Sequence, residues 1–322
     1  MELHCTTPTV ESKPLSQRTG RSVFLKMECF QNAGSYKIRG IGRLCSESVA
    51  AGKTHLVSSS GGNAGYAVAY AGRRLGVPVT VVVPVTTSEV ARERIASEGA
   101  RVIAAGDVWD DAERHALELA REEGCAYIPP FDHPSLWKGY TTLVDELAVQ
   151  MDKPDALVLS VGGGGLLSGV VEGLHKHGWN DVPVVAVETE GAASFASSLQ
   201  AGHLVRLERI HTIAATLAVR QVTPRALEVN ALHPVRSCTV SDATTVRACL
   251  AFADDHRVLV EPACGASLSV LYDNAPVLED ARRVLVVVCG GTGVSLRILS
   301  DWERRFCTDS VPASAKELVP CA

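Results

Sequence analysis

The sequence predicts a doubly wound α/β protein of two lobes. Three observations predict it: short β-branched apolar runs, glycine-rich turns directly after them, and apolar stripes at helical spacing after the turns. Leu56-Val57 leads into Ser58-Ser59-Ser60-Gly61-Gly62-Asn63, after which Ala64, Ala67, Val68, Ala71 and Leu75 recur on one helical face. Val79–Val83 reads as the next strand, inside the longest apolar stretch, residues 77–85, which Pro78 and Pro84 interrupt and which is far short of a membrane span. A helix over 88–98 and a strand around 102–105 follow. The next helix begins near Asp110, with Ala112, Ala116, Leu119 and Ala120 facing its core and Arg114, Glu118 and Arg121 left wet. Pro129-Pro130-Phe131-Asp132-His133-Pro134 breaks the pattern and reads as a crossing between lobes. Trp137, Tyr140, Thr141, Val144 and Leu147 then restore a helical face. Residues 156–161, 182–188 and 284–289 are apolar almost throughout, as central parallel strands covered on both faces must be. The ligand crevice of such a fold lies at the carboxyl ends of its strands.

Composition supports a large core. A chain of 322 residues, 46% of them hydrophobic, is neither disordered nor too short for two domains. The formal charge of -5 is small and the cations are scattered rather than striped, so no nucleic-acid footprint is present. Met1-Glu2-Leu3-His4-Cys5 has neither a basic region nor an apolar signal core, which points to a cytoplasmic protein. Ten cysteines, irregularly spaced and without a CxxC pair, fit reduced core thiols better than a disulfide framework or a zinc site.

Gly162-Gly163-Gly164-Gly165, between a buried strand and Leu166-Leu167-Ser168-Gly169, is the strongest local signal. Absent side chains let backbone N–H groups approach phosphate oxygens, and the following helix dipole favours their charge. A dinucleotide fold is the rival: Gly163-x-Gly165 is followed by Ser168 rather than a third glycine, although Glu188 sits where a ribose-binding acid is expected. Gly291-x-Gly293 is incomplete in the same way, with Leu296 at the later position. Within Asn32-Ala33-Gly34-Ser35-Tyr36-Lys37-Ile38-Arg39-Gly40, Ser35 is expected to cap a helix beginning at Tyr36. Lys37 then lies in the first turn, where the dipole and burial both oppose its ammonium charge and free the amine for Schiff-base chemistry. An exposed first-turn lysine is the plainer alternative. Ser60-Gly61-Gly62-Asn63-Ala64 is a second anion loop, suited to a carboxylate, or simply a capped hinge. Cys289 follows a strand and either faces the crevice or packs as a small hydrophobe. No Gly-x-Ser-x-Gly elbow suggests a hydrolase.

Taken in order, Gly34 to Gly40, Ser60 to Gly65, Pro129 to Asp132, Ser160 to Leu166, Glu261-Pro262-Ala263-Cys264-Gly265-Ala266 and Cys289-Gly290-Gly291 resemble the short serine and threonine dehydratases of the fold-type II pyridoxal phosphate family. The resemblance is greatest to serine dehydratase and serine dehydratase-like proteins. It implies two open twisted sheets flanked by helices with the active site between the lobes. Residues 1–39 with 133–322 would form the large, cofactor-binding lobe and 40–132 the small, substrate-side lobe. It implies pyridoxal 5'-phosphate on Lys37 beside Tyr36, with its phosphate on Gly162, Gly163, Gly164, Gly165 and Leu166. Cys289, with Gly290, would face the pyridine nitrogen and Asn63 the phenolic oxygen. The substrate carboxylate would meet Ser60, Gly61, Gly62, Asn63 and Ala64.

The implied reaction is α,β-elimination from a small hydroxy amino acid, serine or threonine, to pyruvate or 2-oxobutyrate and ammonia. β-Phenylserine elimination, β-replacement, racemisation and an impaired amino-acid-binding homologue are the alternatives. The resemblance further implies a homodimer, a cytoplasmic catabolic role, and a monovalent cation, potassium, on Gly162, Glu188, Ala192, Leu217 and Val219. Two departures stand out. Ala64 replaces the histidine that follows the asparagine in many larger threonine deaminases, and Gly61 replaces an alanine of some serine dehydratases, which implies extra space at that loop. No separate regulatory domain is expected after Gly290-Gly291.

Overall fold

The computed structural model describes residues 2–307, so most of the tail from Arg304 onward, where no further domain is expected, lies outside the described residues. The chain opens with β1 (Thr9–Glu11), α1 (Lys13–Thr19) and β2 (Ser22–Lys26), then enters α2 (Lys37–Ala50). A strictly alternating stretch follows: β3 (His55–Ser58), α3 (Asn63–Leu75), β4 (Val79–Val83), α4 (Glu89–Ser97), β5 (Arg101–Ala104), α5 (Trp109–Leu119) and β6 (Cys125–Tyr127). Next come α6 (Pro134–Gln150), β7 (Ala156–Ser160), α7 (Gly165–Lys176), β8 (Val184–Thr189) and α8 (Ser194–Ala201). The last part is α9 (Pro224–Leu232), β9 (Val235–Val240), α10 (Asp242–His256), α11 (Pro262–Tyr272), β10 (Arg283–Val287) and α12 (Leu296–Phe306).

Two sheets result. The larger runs β1-β2-β10-β7-β8-β9 and is parallel except for β1 against β2; the smaller, β5-β4-β3-β6, is parallel throughout. Every residue of β4, β7 and β8 is buried, which is why these strands read as unbroken apolar runs. In the centre of the large sheet Val158 pairs with Val286 on one side and Val185 on the other. Fully burying one such valine stabilises the fold by roughly 1.5–3 kcal/mol.

The strand ends differ from the sequence reading in an informative way. β10 stops at Val287 because Val288 N turns to Lys26 O (3.0 Å) and Cys289 O accepts from Tyr36 N (3.0 Å). That turn carries Cys289 out of the sheet and into the crevice wall, with Gly290 behind it. The same contact corrects the reading of Ser35. Helix α2 begins at Lys37, its N-cap is Tyr36 with no side-chain cap, and Ser35 instead bridges to Gly290. The Ser35 hydroxyl is buried without a partner among the described residues. Lys37 does occupy the first turn, as expected.

Candidate active site

A cavity of about 700 Å³ opens between the two sheets and is lined by Lys37, Asn63, the glycines 162–165, Thr216, Glu261 and Cys289. Lys37 Nζ donates to Pro130 O at 2.6 Å and stands 5.3 Å from the centre of the Tyr36 ring. Burial lowers its ammonium to about 8, while Cys289 and Glu261 pull the other way. The helix beneath it is anchored two residues on, where Arg39 forks to Glu28 (Nε–Oε2 2.7 Å, Nη2–Oε1 2.7 Å) and to Glu146 (2.7 and 2.8 Å). Arg39 is therefore a buried structural cation.

The phosphate-cradle signal combines two demands. Gly164 is the left-handed N-cap of α7 (φ 88°), and a Cβ there would stand 2.6 Å from Ala226 Cβ. A Cβ on Gly163 would stand 2.3 Å from the Phe131 ring, and one on Gly165 2.5 Å from Phe131 O. Close packing alone excludes side chains at these positions. Yet among the described residues nothing accepts a hydrogen bond from the N–H of Gly162, Gly163 or Gly164, so these donors remain available to a phosphate at the start of a helix. Leu166 also lines the cavity.

The second loop is built similarly. Gly62 is the N-cap of α3, Gly62 N donates to Ser60 Oγ at 3.3 Å, and Asn63 and Ala64 open the helix. Asn63 Nδ2 donates to Glu261 Oε1 at 2.7 Å, and Thr292 Oγ1 donates to Asn63 Oδ1. Ser60, Gly62, Asn63 and Ala64 line the cavity; Gly61 does not. A Cβ on Gly61 would point at Thr87 Cγ2, 2.7 Å away, so the extra space expected beside this glycine is already filled by threonine.

Cys289 is 4% exposed and lines the cavity, its Sγ 3.3 Å from that of Cys264. The Cys264 thiol donates to Gly290 O (2.9 Å) and accepts from Gly290 N (3.1 Å), which holds Gly290 behind the cavity wall. The described cysteines are free thiols, as the sequence suggested. Of the residues expected to hold a cation, Gly162, Leu217 and Val219 line the cavity, whereas Glu188 and Ala192 are buried behind it. The Glu188 carboxylate accepts from Phe195 N and Ala196 N, each at 2.8 Å, and so caps α8. Burial pushes it up to about 7, against the lowering effect of those two N–H groups.

Sequence reasoning assigned no role to Glu261, which is 2% exposed and central to the cavity. The available signal was an acid at the head of an otherwise apolar helix, immediately before Pro262. It also missed Trp109, which faces Phe131 with ring centres 6.2 Å apart, and the Arg206–Asp110 ion pair at the cavity mouth. The residues present suit a phosphorylated aromatic aldehyde: an amine whose charge burial disfavours, N–H donors free for a phosphate, and an amide and a thiol for the ring's polar atoms.

Comparison with known proteins agrees. The family model for pyridoxal-phosphate dependent enzymes matches residues 2–290. A human serine dehydratase-like protein is 48% identical over 305 residues, covering 92% of this chain and 93% of the relative. L-serine dehydratase/L-threonine deaminase of Mus musculus is 47% identical over 320 residues, covering 96% and 98%. The solved structure of a fungal L-serine ammonia-lyase from Rhizomucor miehei superposes with a TM-score of 0.91 at 39% identity, covering 95% of this chain and all (100%) of the other. A lysine in a glycine-lined crevice between two parallel sheets thus has its counterpart in sequence and in fold: the chain belongs to the pyridoxal-phosphate dependent enzymes, within the fold-type II serine/threonine dehydratase group.

Proposed function

We propose that this enzyme is an L-serine/L-threonine ammonia-lyase that holds its cofactor on Lys37 and releases pyruvate or 2-oxobutyrate with ammonia. One observation carries the reading. Lys37 Nζ projects into the same cavity as two separate loops rich in backbone donors, residues 60–64 and 162–165, so that one loop is left for a substrate carboxylate once the other holds phosphate. Bound pyridoxal phosphate supplies an electron sink for the pair left behind when the substrate's Cα proton departs.

The chain's own residues do the rest. Gly162, Gly163, Gly164, Gly165 and Leu166 bind the phosphate, and Tyr36 walls the ring. Cys289, with Gly290 behind it, would face the pyridine nitrogen, where a thiol lacks the strong pull of a carboxylate. Asn63 would meet the phenolic oxygen, while Ser60, Gly62, Asn63 and Ala64 would orient the carboxylate, with Gly61 shaping the loop from its far side against Thr87. Lys37, neutral in roughly a tenth of molecules near pH 7 because burial holds it at about 8, takes the Cα proton. Loss of the β-hydroxyl as water and hydrolysis of the product imine complete the balance. Threonine adds one methyl group to serine, a difference that packing discriminates by only about 1–3 kcal/mol, so both are substrates.

We assign residues 40–132 to a substrate-side lobe and 1–39 with 133–322 to the cofactor lobe. The enzyme acts as a cytoplasmic homodimer. A potassium ion sits near Gly162, Glu188, Ala192, Leu217 and Val219, where Glu188 supplies the negative charge. No helix among the described residues is long and apolar enough to cross a membrane.

The test is product analysis. Ammonia and organic products are followed from serine, threonine and β-phenylserine, serine is repeated with sulfide, and recovered serine is checked for racemisation. Ammonia with pyruvate and 2-oxobutyrate is the expected outcome. Dominant cysteine formation, dominant racemisation, or cofactor-bound protein without turnover would replace the reading with β-replacement, racemisation or amino-acid binding respectively.

A further inference from the structure

We infer that Glu261 and Thr292 are positioning residues which lock the Asn63 side-chain amide in one orientation, an inference that rests on the cofactor site proposed above. Glu261 is held first by its backbone: Glu261 N donates to Gly290 O (3.3 Å), and its carbonyl accepts from Cys264 N (2.8 Å) and Gly265 N (3.1 Å). The side chain leaves the head of α11 for the cavity. There Oε1 accepts from Asn63 Nδ2 at 2.7 Å and from Thr216 Oγ1 at 3.1 Å.

Oε1, which accepts from Thr216 as well, takes the NH2 end of the asparagine amide; burial raises the Glu261 carboxyl, and the Thr216 and Asn63 hydrogen bonds oppose that by favouring the charged, accepting form. The Thr292 hydroxyl then donates to the Oδ1 that this choice presents to it. A flipped amide would set its oxygen against Glu261 Oε1, whereas the Thr292 hydroxyl could turn to accept from either end. Glu261 thus excludes the flip, Thr292 holds the oxygen end of the chosen orientation, and one Nδ2 proton of Asn63 is left to serve a ligand. Such a clamp is tight: Asn63 is 5% exposed and Glu261 2%, and a Cβ on Gly290 would stand 3.2 Å from Nδ2.

A purely structural acid would be expected to carry a cationic partner when buried this deeply. Glu261 makes no ion pair among the described residues, and its Oε2 is buried beside the backbone of Gly293 with no side-chain partner among them. It shares the cavity wall with Lys37, whose ammonium a charged carboxylate there would favour.

The experiment compares Glu261→Gln, Thr292→Val and Thr292→Ser with the parent enzyme. Each is stripped of cofactor and titrated with pyridoxal phosphate, and the ratio of near-ultraviolet to visible absorption of the bound cofactor is recorded. Thr292→Val loses the hydrogen bond to Oδ1, and Glu261→Gln, whose amide can turn its NH2 toward Asn63, loses the accept-only partner; each should weaken cofactor binding roughly three- to tenfold. Both should move absorption toward the near-ultraviolet band, since the phenolic oxygen loses an oriented donor. Thr292→Ser, which keeps the hydroxyl, should stay within about twofold of the parent with its spectrum unchanged.

Folded Glu261→Gln and Thr292→Val proteins with parental affinity and parental spectra would overturn the inference, as would a serine variant as impaired as the valine one. If Glu261→Gln does not fold, the valine and serine pair decides alone. Borohydride trapping of the parent followed by peptide mass spectrometry separates the two levels of the argument. No adduct on Lys37 removes the cofactor site itself, whereas an adduct with unaffected variants removes only the clamp.

Discussion

Alanine at position 164 tests whether the phosphate loop is glycine-rich for packing, for ligand binding, or for both. Gly164 has φ 88°, and the added Cβ would stand 2.6 Å from Ala226 Cβ and 3.0 Å from Val222 Cγ2. Left-handed backbone costs an alanine about 1–2 kcal/mol. Overpacking against two neighbours that are themselves buried adds about 1–3 kcal/mol. The total loss is thus about 2–5 kcal/mol. With an unfolding entropy of roughly 2.1 cal/mol/K per residue, a chain of 322 residues loses about 1.5 °C of Tm per kcal/mol, so Gly164→Ala should fall by about 3–7 °C.

Gly20→Ala is the control. Gly20 has φ 69° with nothing within 4 Å of the added Cβ, so it carries the backbone cost alone and should lose about 1.5–3 °C. Calorimetry of both proteins without cofactor gives the packing cost as the difference. Titration with pyridoxal phosphate then gives the binding cost, which should appear in Gly164→Ala and be absent from Gly20→Ala. Equal midpoints in the two variants would refute the packing argument, and parental cofactor affinity in Gly164→Ala would refute the role of the loop.

Three further outcomes follow from the geometry. Burial brings Lys37 from 10.5 to about 8, which raises its neutral fraction near pH 7 by about 300-fold; capture of cofactor by the stripped enzyme should accelerate with pH and level off near 8, and a rate still climbing at pH 10 in stopped-flow traces would refute the assignment. Gly61→Ala should lower serine turnover by up to about tenfold by crowding Thr87, and Gly61→Ala with Thr87→Ser should recover it; no recovery would mean that Thr87 is not the obstacle. Exchange from potassium into a tetraalkylammonium buffer should lower both Tm and turnover in the parent but not in Glu188→Gln, and equal values in both buffers would remove the proposed cation.

The parts of the fold legible in the sequence were those whose physical cause is local. β4, β7 and β8 are buried on both faces, so each carries its own signature. β2 does not. Its Lys26 is fully buried, and Glu146, 2.5 Å away and 120 positions later in the chain, makes that tolerable together with Thr7 O and Gln150 Oε1. A lysine closing a short apolar run reads as the end of a strand at the surface. Ser35 misled for a related reason: the N–H that defines the start of α2 is taken by the carbonyl of Cys289, a residue from the far end of the chain.

The site divides along the same line. Lys37 and the two glycine loops are visible because absent side chains and a first-turn lysine leave a local trace, whereas Glu261 acquires its meaning only through Asn63, 198 positions away. Glycine itself is an ambiguous trace, since Phe131 and Ala226 would exclude side chains from positions 163–165 whether or not a phosphate ever bound there. What separates a ligand site from a tight turn is the state of the backbone donors, and the unpaired N–H groups of Gly162, Gly163 and Gly164 beside a buried amine make that separation. The dinucleotide rival had rested on Glu188 as a ribose acid. Glu188 is fully buried, caps α8 through Phe195 N and Ala196 N, and is not part of the cavity lining, so it does not reach a sugar hydroxyl in the crevice.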